Sequence, residues 1–122
     1  MPDSRSDELD AMRQAANSPG DRASLRELRE SGRQSARERI DALLDPDSFV
    51  EVDAFVQHRA GEHNMHLHRP LGDGVVAGHG MLDGRRMVCF AQDYSVFAGT
   101  MGEMHAKKIV KVAEFAEKSQ LP

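Results

Sequence analysis

Apolar residues fall at helical spacing early in the chain, in alternation and short runs through the middle, and at helical spacing again at the end. Leu9, Met12 and Ala16 share one face of a short helix over residues 7–16. The surrounding segment, 1–23, is polar and contains Ser18-Pro19-Gly20. With few apolar positions to bury, it is expected to be a flexible N-terminal segment. Ser24-Leu25-Arg26-Glu27 reads as a capping box, in which the Ser and Glu side chains satisfy free backbone donors, and Gly32 as the stop of that helix. Ser35-Ala36-Arg37-Glu38 is a second capping box. The helix it opens carries Ile40, Leu43 and Leu44 on one stripe and ends before Pro46. Its charges, Arg37, Glu38 and Arg39, suit a solvated face.

Asp45-Pro46-Asp47-Ser48 is a turn. Residues 49–56 then alternate as a strand, with Val50, Val52, Ala54 and Val56 on one face and Phe49 and Phe55 on the other. Phe49 and Phe55 share their face with Glu51 and Asp53, a mixture that fits an interface or a sheet edge. Residues 57–71 have no period and form a loop. Val75, Val76 and Ala77 open a new strand, and Leu82-Asp83-Gly84-Arg85 turns it, because Asp-Gly tolerates the positive φ of a tight hairpin. The return strand, 86–91, is apolar at consecutive positions from Met87 to Ala91, as in a strand covered on both faces. Asp93 ends it. A loop of small residues, 95–102, leads into a helix over 103–119. Met104, Ile109, Val112, Ala113 and Ala116 make its apolar stripe, widened by Val110 and Phe115, with Lys107, Lys108, Lys111 and Glu114 on the wet side. The glycines at 72, 74, 78, 80 and 84 are read as backbone geometry: turns, bulges and close packing.

Composition narrows the function. A chain of 122 residues is one domain or part of one. A net charge of −4 argues against a general nucleic-acid or anionic-membrane binder. A single cysteine precludes an internal disulfide and fits a reducing compartment. With no apolar run after Met1 and no stretch long enough to span a bilayer, the expected location is the cytoplasm. Cys89 sits in the apolar strand and reads as an inert buried thiol. His58, His63, His66 and His68 crowd one loop, yet their spacing matches no metal motif and no thiolate is near, so no metal is expected there and they are read as surface or interface residues. The loop from Val96 to Gly102 is the best site candidate: Gly99 and Gly102 permit close approach of a ligand, and the helix start beyond offers free N–H groups and partial positive charge. Asp93 and His105 are the nearest pair with acid–base chemistry, but Asp93 is read as a strand-end or turn residue and His105 as a helix-surface residue.

Two signatures carry a resemblance. One is Gly72-Asp73-Gly74-Val75-Val76-Ala77-Gly78-His79-Gly80, then Asp83-Gly84-Arg85, then Asp93-Tyr94-Ser95-Val96-Phe97-Ala98-Gly99-Thr100-Met101-Gly102-Glu103 and Lys108-Ile109. The other runs from Ser35 to Glu51 through Ala36-Arg37-Glu38-Arg39-Ile40 and Leu43-Leu44-Asp45-Pro46. In this order they resemble the carboxyltransferase (beta) subunit of acyl-CoA carboxylases, propionyl-CoA carboxylase type, whose members are several times longer. Ser35 and Ala98 depart from the usual residues, both by small changes.

The resemblance implies an α/β fold, the N-terminal portion of a crotonase-like (ClpP/crotonase) carboxyltransferase domain over 24–122. Its parts are a helical arm (24–45), strands and loop (49–92), and a loop and helix (93–120), so that a β-hairpin and helix follow the arm. It implies carboxyl transfer from carboxybiotin, borne on a carrier protein and not on this chain, to the α-carbon of a short-chain acyl-CoA such as acetyl- or propionyl-CoA. Phe97, Ala98, Gly99 and Thr100 would line the CoA site. The catalytic glycine pairs of the family lie beyond this chain, so no catalytic residue is expected here. Implied partners are the remaining carboxyltransferase polypeptide or copies of this chain, a biotin carboxylase or biotin carrier subunit, and acyl-CoA, with no nucleic acid and no membrane. Two other readings remain open: a non-catalytic interaction subunit derived from this family, and a crotonase-type acyl-CoA decarboxylase.

Overall fold

In the computed structural model, which describes residues 4–122, three helices precede a three-stranded antiparallel sheet of order β1-β2-β3 and a closing helix. The elements are α1 (Ser4–Asn17), α2 (Arg22–Glu30), α3 (Ala36–Leu43), β1 (Val50–Val52), β2 (Val75–Leu82), β3 (Arg85–Gln92) and α4 (Glu103–Ser119), with short 3₁₀ turns at Glu62–Leu67 and Phe97–Gly99.

The β2–β3 hairpin is organised by its two-residue turn. Asp83 and Gly84 both take positive φ, at 50° and 78°, so the turn twists with its strands. Asp45 fastens it: its carboxylate accepts from the backbone N–H groups of Asp83 and Gly84, both at 2.9 Å. Val76 and Ala91 face α3 and form a core with Ala36, Ile40 and Leu44, against which Phe49, Leu82, Met87 and Cys89 pack. On the other face Val75 and Ala77 are buried on the side where α4 lies. Gly78 permits the close crossing of β1, since a Cβ there would come within 2.1 Å of the Val50 carbonyl oxygen.

Several sequence expectations are corrected. The first helix runs longer, from Ser4 to Asn17, but of its apolar face only Ala16 is buried; Leu9 and Met12 remain exposed. Helix α2 is capped by Asp21, not Ser24: the Asp21 carboxylate accepts from the Ser24 N–H at 2.8 Å, and a short acidic side chain at that position fits the helix start electrostatically as well. Its end is as read: Gly32 adopts φ 77°, with Gly32 N–H bonding Arg29 O and Arg33 N–H bonding Leu28 O. In α3 the Ser35 cap stands, accepting from Glu38 N–H at 3.2 Å, but Leu43 is exposed while Ile40 and Leu44 are buried.

Strand β1 is three residues long, because Asp53 turns the backbone at φ 57°, and its faces are the reverse of the expected ones: Phe49 packs on the core and Val50 is exposed. Strand β3 is an edge strand with Phe90 exposed, not one covered on both faces within the described residues. On its outer edge, Val88 N–H donates to Pro122 O at 2.8 Å. In α4 the inward face is His105, Lys108 and Val112, with Val110 and Phe115 turned to solvent.

Candidate functional site

A pocket of about 710 Å³ opens between the loop that follows β1 and the loop that precedes α4, with His58, Met65, Asp73, Phe97, Thr100 and Glu103 among its walls. The wall from the α4 side is a tight backbone feature. Phe97, Ala98 and Gly99 are three consecutive residues at positive φ (47°, 54° and 77°), closed by Gly99 N–H to Val96 O and Thr100 N–H to Phe97 O, both 3.0 Å. Two non-glycine residues in the left-handed region store backbone strain of a kind that concentrates at ligand sites. Tertiary contacts hold them there. The Phe97 ring meets His58 at 5.9 Å between centroids and His68 edge-on at 5.3 Å, and His58 Nε2–H donates to His68 O at 2.7 Å. Of the expected site residues, Phe97 and Thr100 line this pocket; Ala98 and Gly99 shape the turn between them, with Gly99 backed by Tyr94.

The four histidines therefore divide. His58 is buried and braces Phe97, contrary to the surface placement expected for it, while His63, His66 and His68 are exposed. Among the described residues no three His, Cys, Asp or Glu side chains converge as metal ligands.

Behind Asp73, which lines the pocket, lies a set of buried polar residues that the sequence pattern did not disclose. Gly72-Asp73-Gly74 takes positive φ at all three positions and lies against α4. Asp73 Oδ2 accepts from His105 N–H at 3.0 Å, so this carboxylate serves the first turn of α4 in place of Gly102, which has no side chain with which to cap it. The partial positive charge at this helix start is thus met by Asp73, with Glu103 beside it in the first turn, rather than left for an anionic ligand. His105 is not on the helix surface. It is fully buried, its Nδ1–H donating to Asp73 O at 3.0 Å and its Nε2 accepting from Gln92 at 3.2 Å. Burial holds this imidazole below its ordinary pKa of 6.5. Lys108, expected on the wet side, is also buried and donates to Gly72 O at 2.9 Å and Val75 O at 2.6 Å; burial lowers its pKa from 10.5. The signal for both was their i, i+3 spacing on one face, masked by their polarity.

Asp93 and His105 do not act as a pair: Asp93 is buried and accepts from Ser95 N–H and Oγ–H at 3.0 and 2.6 Å. Arg59 and Glu103 form an ion pair between the two sides of the pocket. The pocket thus carries two carboxylates, Asp73 and Glu103, against the single guanidinium of Arg59. Its aromatic and apolar walls suit an uncharged organic ligand segment. Burial pushes the Cys89 thiol pKa up, which keeps it unreactive.

Comparison with known proteins places this geometry. The model of the carboxyl transferase domain family matches residues 27–122. The chain is 47% identical over 115 residues to the biotin-dependent acetyl-/propionyl-coenzyme A carboxylase beta5 subunit of Mycobacterium tuberculosis, covering 94% of this chain and 21% of that protein. It is 52% identical over 91 residues to the propionyl-CoA carboxylase beta chain of Saccharopolyspora erythraea, covering 75% and 17%. The fold superimposes with a TM-score of 0.89 and 36% identity on the crystal structure of the transcarboxylase 12S hexamer with methylmalonyl-coenzyme A bound, over 95% of this chain and 23% of that one. The chain spans about a fifth of the length of the curated relatives it matches. On the family match and on these identities, the chain belongs to the carboxyl transferase domain family of the biotin-dependent acyl-CoA carboxylase beta subunits, with their crotonase-like α/β fold.

Proposed function

We propose that this chain is the N-terminal segment, or a small subunit, of a biotin-dependent acyl-CoA carboxyltransferase, and that residues 97–100 line its acyl-CoA site. The reaction is transfer of a carboxyl group from carboxybiotin to the α-carbon of a short-chain acyl-CoA, acetyl- or propionyl-CoA. Carboxybiotin arrives on a biotin carrier as a substrate. The remaining carboxyltransferase polypeptide, or further copies of this chain, completes the site, and a biotin carboxylase subunit supplies the carboxylated carrier. The enzyme works in the cytoplasm. The observation that carries the reading is the strained turn at Phe97–Gly99 on the wall of an apolar pocket of about 710 Å³, in a chain of this family. Such walls favour the uncharged pantetheine arm and acyl group. Backbone N–H groups stabilise charge developing on acyl and ureido oxygens in such a transfer; no described residue of this chain is assigned that task.

The test is Gly99→Val in the complete assembly. A β-branched residue is strained at φ 77° and would distort the turn that sets Phe97 and Thr100 on the pocket wall. Displacing the thioester by about 1 Å costs on the order of a hundredfold in transfer rate. Acyl-CoA-dependent transfer should fall, acyl-CoA affinity should fall more than the thermal midpoint, and biotin carboxylation should be unchanged because it occurs at another active site. Normal affinity and rate, or parallel loss of stability and activity, would remove Gly99 from the site.

A further inference from the structure

One carboxylate on the wall of the 710 Å³ pocket is almost completely enclosed and only half engaged. Asp73 is 5% exposed. Glu103, the other carboxylate there, is exposed and is held by Arg59 and Lys107. An ionised carboxylate has roughly four lone-pair sites on its two oxygens. Asp73 Oδ2 accepts from His105 N–H at 3.0 Å, whereas Oδ1 accepts from no donor among the described residues. The donors around it are committed elsewhere. His105 Nδ1–H goes to the Asp73 carbonyl, Lys108 Nζ to the carbonyls of Gly72 and Val75, Arg59 to Glu103, and Thr100 N–H to Phe97 O.

Oδ1 is also within reach of a ligand. Among the described residues, the enclosed side-chain atoms that lack a partner are Arg37 Nε and His58 Nδ1. Asp73 Oδ1 is therefore open at its surface, and the 710 Å³ pocket is the cleft that Asp73 lines. Its placement is fixed from two sides: Lys108 holds the backbone before and after it, and the bond to His105 N–H holds the carboxylate. An acceptor left unmet in an apolar, concave site is costly, so a ligand that covers it without offering a donor binds poorly.

We propose that Asp73 determines specificity in this pocket, capping α4 through one carboxylate oxygen and taking an amide-type N–H of the ligand through the other. The inference rests on the carboxyl-transfer reading above and adds which chemical group the pocket selects. Two ligands of that reading carry such a group: the pantetheine arm in its secondary amides and biotin in its ureido ring. A hydrogen bond to a charged acceptor favours the N–H, while an ester oxygen or an N-methyl group at the same place leaves the carboxylate unmet.

The experiment is calorimetric titration of the complete assembly, wild type and Asp73→Asn. The ligands are two pairs: propionyl-pantetheine with its analogue bearing esters in place of both amides, and biotin with its analogue methylated on both ureido nitrogens. Asn tolerates the φ of 49° at this position and caps as Asp does. Because only its amide oxygen can meet His105 N–H, its NH₂ group falls where Oδ1 stood, and an acceptor becomes a donor. In wild type the N–H ligand of one pair should bind roughly tenfold or more tighter than its blocked analogue. In Asp73→Asn that ratio should fall to near one, with the thermal midpoint unchanged. The pair that shows the effect identifies the source of the N–H. An undiminished ratio in Asp73→Asn, or no preference in wild type for either pair, overturns the proposal. Equal weakening of parent and analogue makes Asp73 a helix cap only and overturns it as well. In each of those cases propionyl-pantetheine binding that depends on Gly99 leaves the acyl-CoA reading standing. A wild type that binds biotin with an Asp73-dependent preference but does not bind propionyl-pantetheine overturns the acyl-CoA reading and upholds Asp73 as the reader of the ureido N–H.

Discussion

At the scale of single residues, buried polar groups decide the shape of the site. His105 is held neutral chiefly by burial, with the like charge of Lys108 on the next turn adding to it, against Asp73, whose carbonyl takes the Nδ1–H and whose carboxylate favours the protonated ring. Because its folded pKa lies below 6.5, the unfolded chain binds a proton at pH values where the native chain does not. Stability is therefore fully present above pH 6.5 and is lost as pH falls through the folded value. Lys108 acts with the same sign at alkaline pH, where the native amine releases its proton before the unfolded one and stability rises with pH towards 10.5. Denaturant midpoints measured from neutral pH down to the acid limb should fall in wild type. In His105→Phe the overall stability should be lower by about 1–3 kcal/mol, because Asp73 O and Gln92 lose their partner. That part of the pH dependence which begins at 6.5 should vanish. A wild-type-like slope in His105→Phe would assign the acid sensitivity to other groups.

At the scale of elements, capping and turn chemistry account for the starts of α2, α3 and α4, the stop of α2 and the turn of the hairpin. Ser35 is the cap of α3, whose Ile40 anchors the core, so Ser35→Ala should cost about 1 kcal/mol, read as a lower denaturant midpoint with an unchanged slope. For α2 the structure moves the cap to Asp21, and Asp21→Ala should destabilise more than Ser24→Ala. Equal effects would return the cap to the Ser24 box. Elements such as α3 and the β2–β3 hairpin were legible because their signals are local: a cap, a stripe, an Asp-Gly pair. Strand β1 was not, since alternation reports which residues share a face but not which face meets the core. That is settled by α3 and Gly78, which leave room for Phe49.

At the scale of the whole molecule, apolar surface remains uncovered. Phe90 on β3 is 49% exposed, and on α4 Val110 is 54% and Phe115 42% exposed. Among the described residues, strand β3 also keeps a free outer edge apart from the bond of Val88 to Pro122. Edges and patches of this kind pair with other chains. The 122-residue chain by itself should therefore self-associate, with a sedimentation coefficient and melting midpoint that rise with concentration. A monomer with a sharp, concentration-independent melt would overturn this.

The sequence by itself determined the order of helices, hairpin and closing helix, the turn at Asp83-Gly84, the core positions Ile40 and Leu44, and, through its two signatures, the family. These follow from period, capping and motif, which are written in neighbouring residues. Only the tertiary structure decided that His105 and Lys108 point inward, that Asp73 caps α4 from a loop 30 residues upstream, and that His58 and His68 brace Phe97. The physical reason is that a polar side chain is buried when partners distant in sequence satisfy it, as the carbonyls of Gly72 and Val75 satisfy Lys108, and no local pattern records where those partners will be.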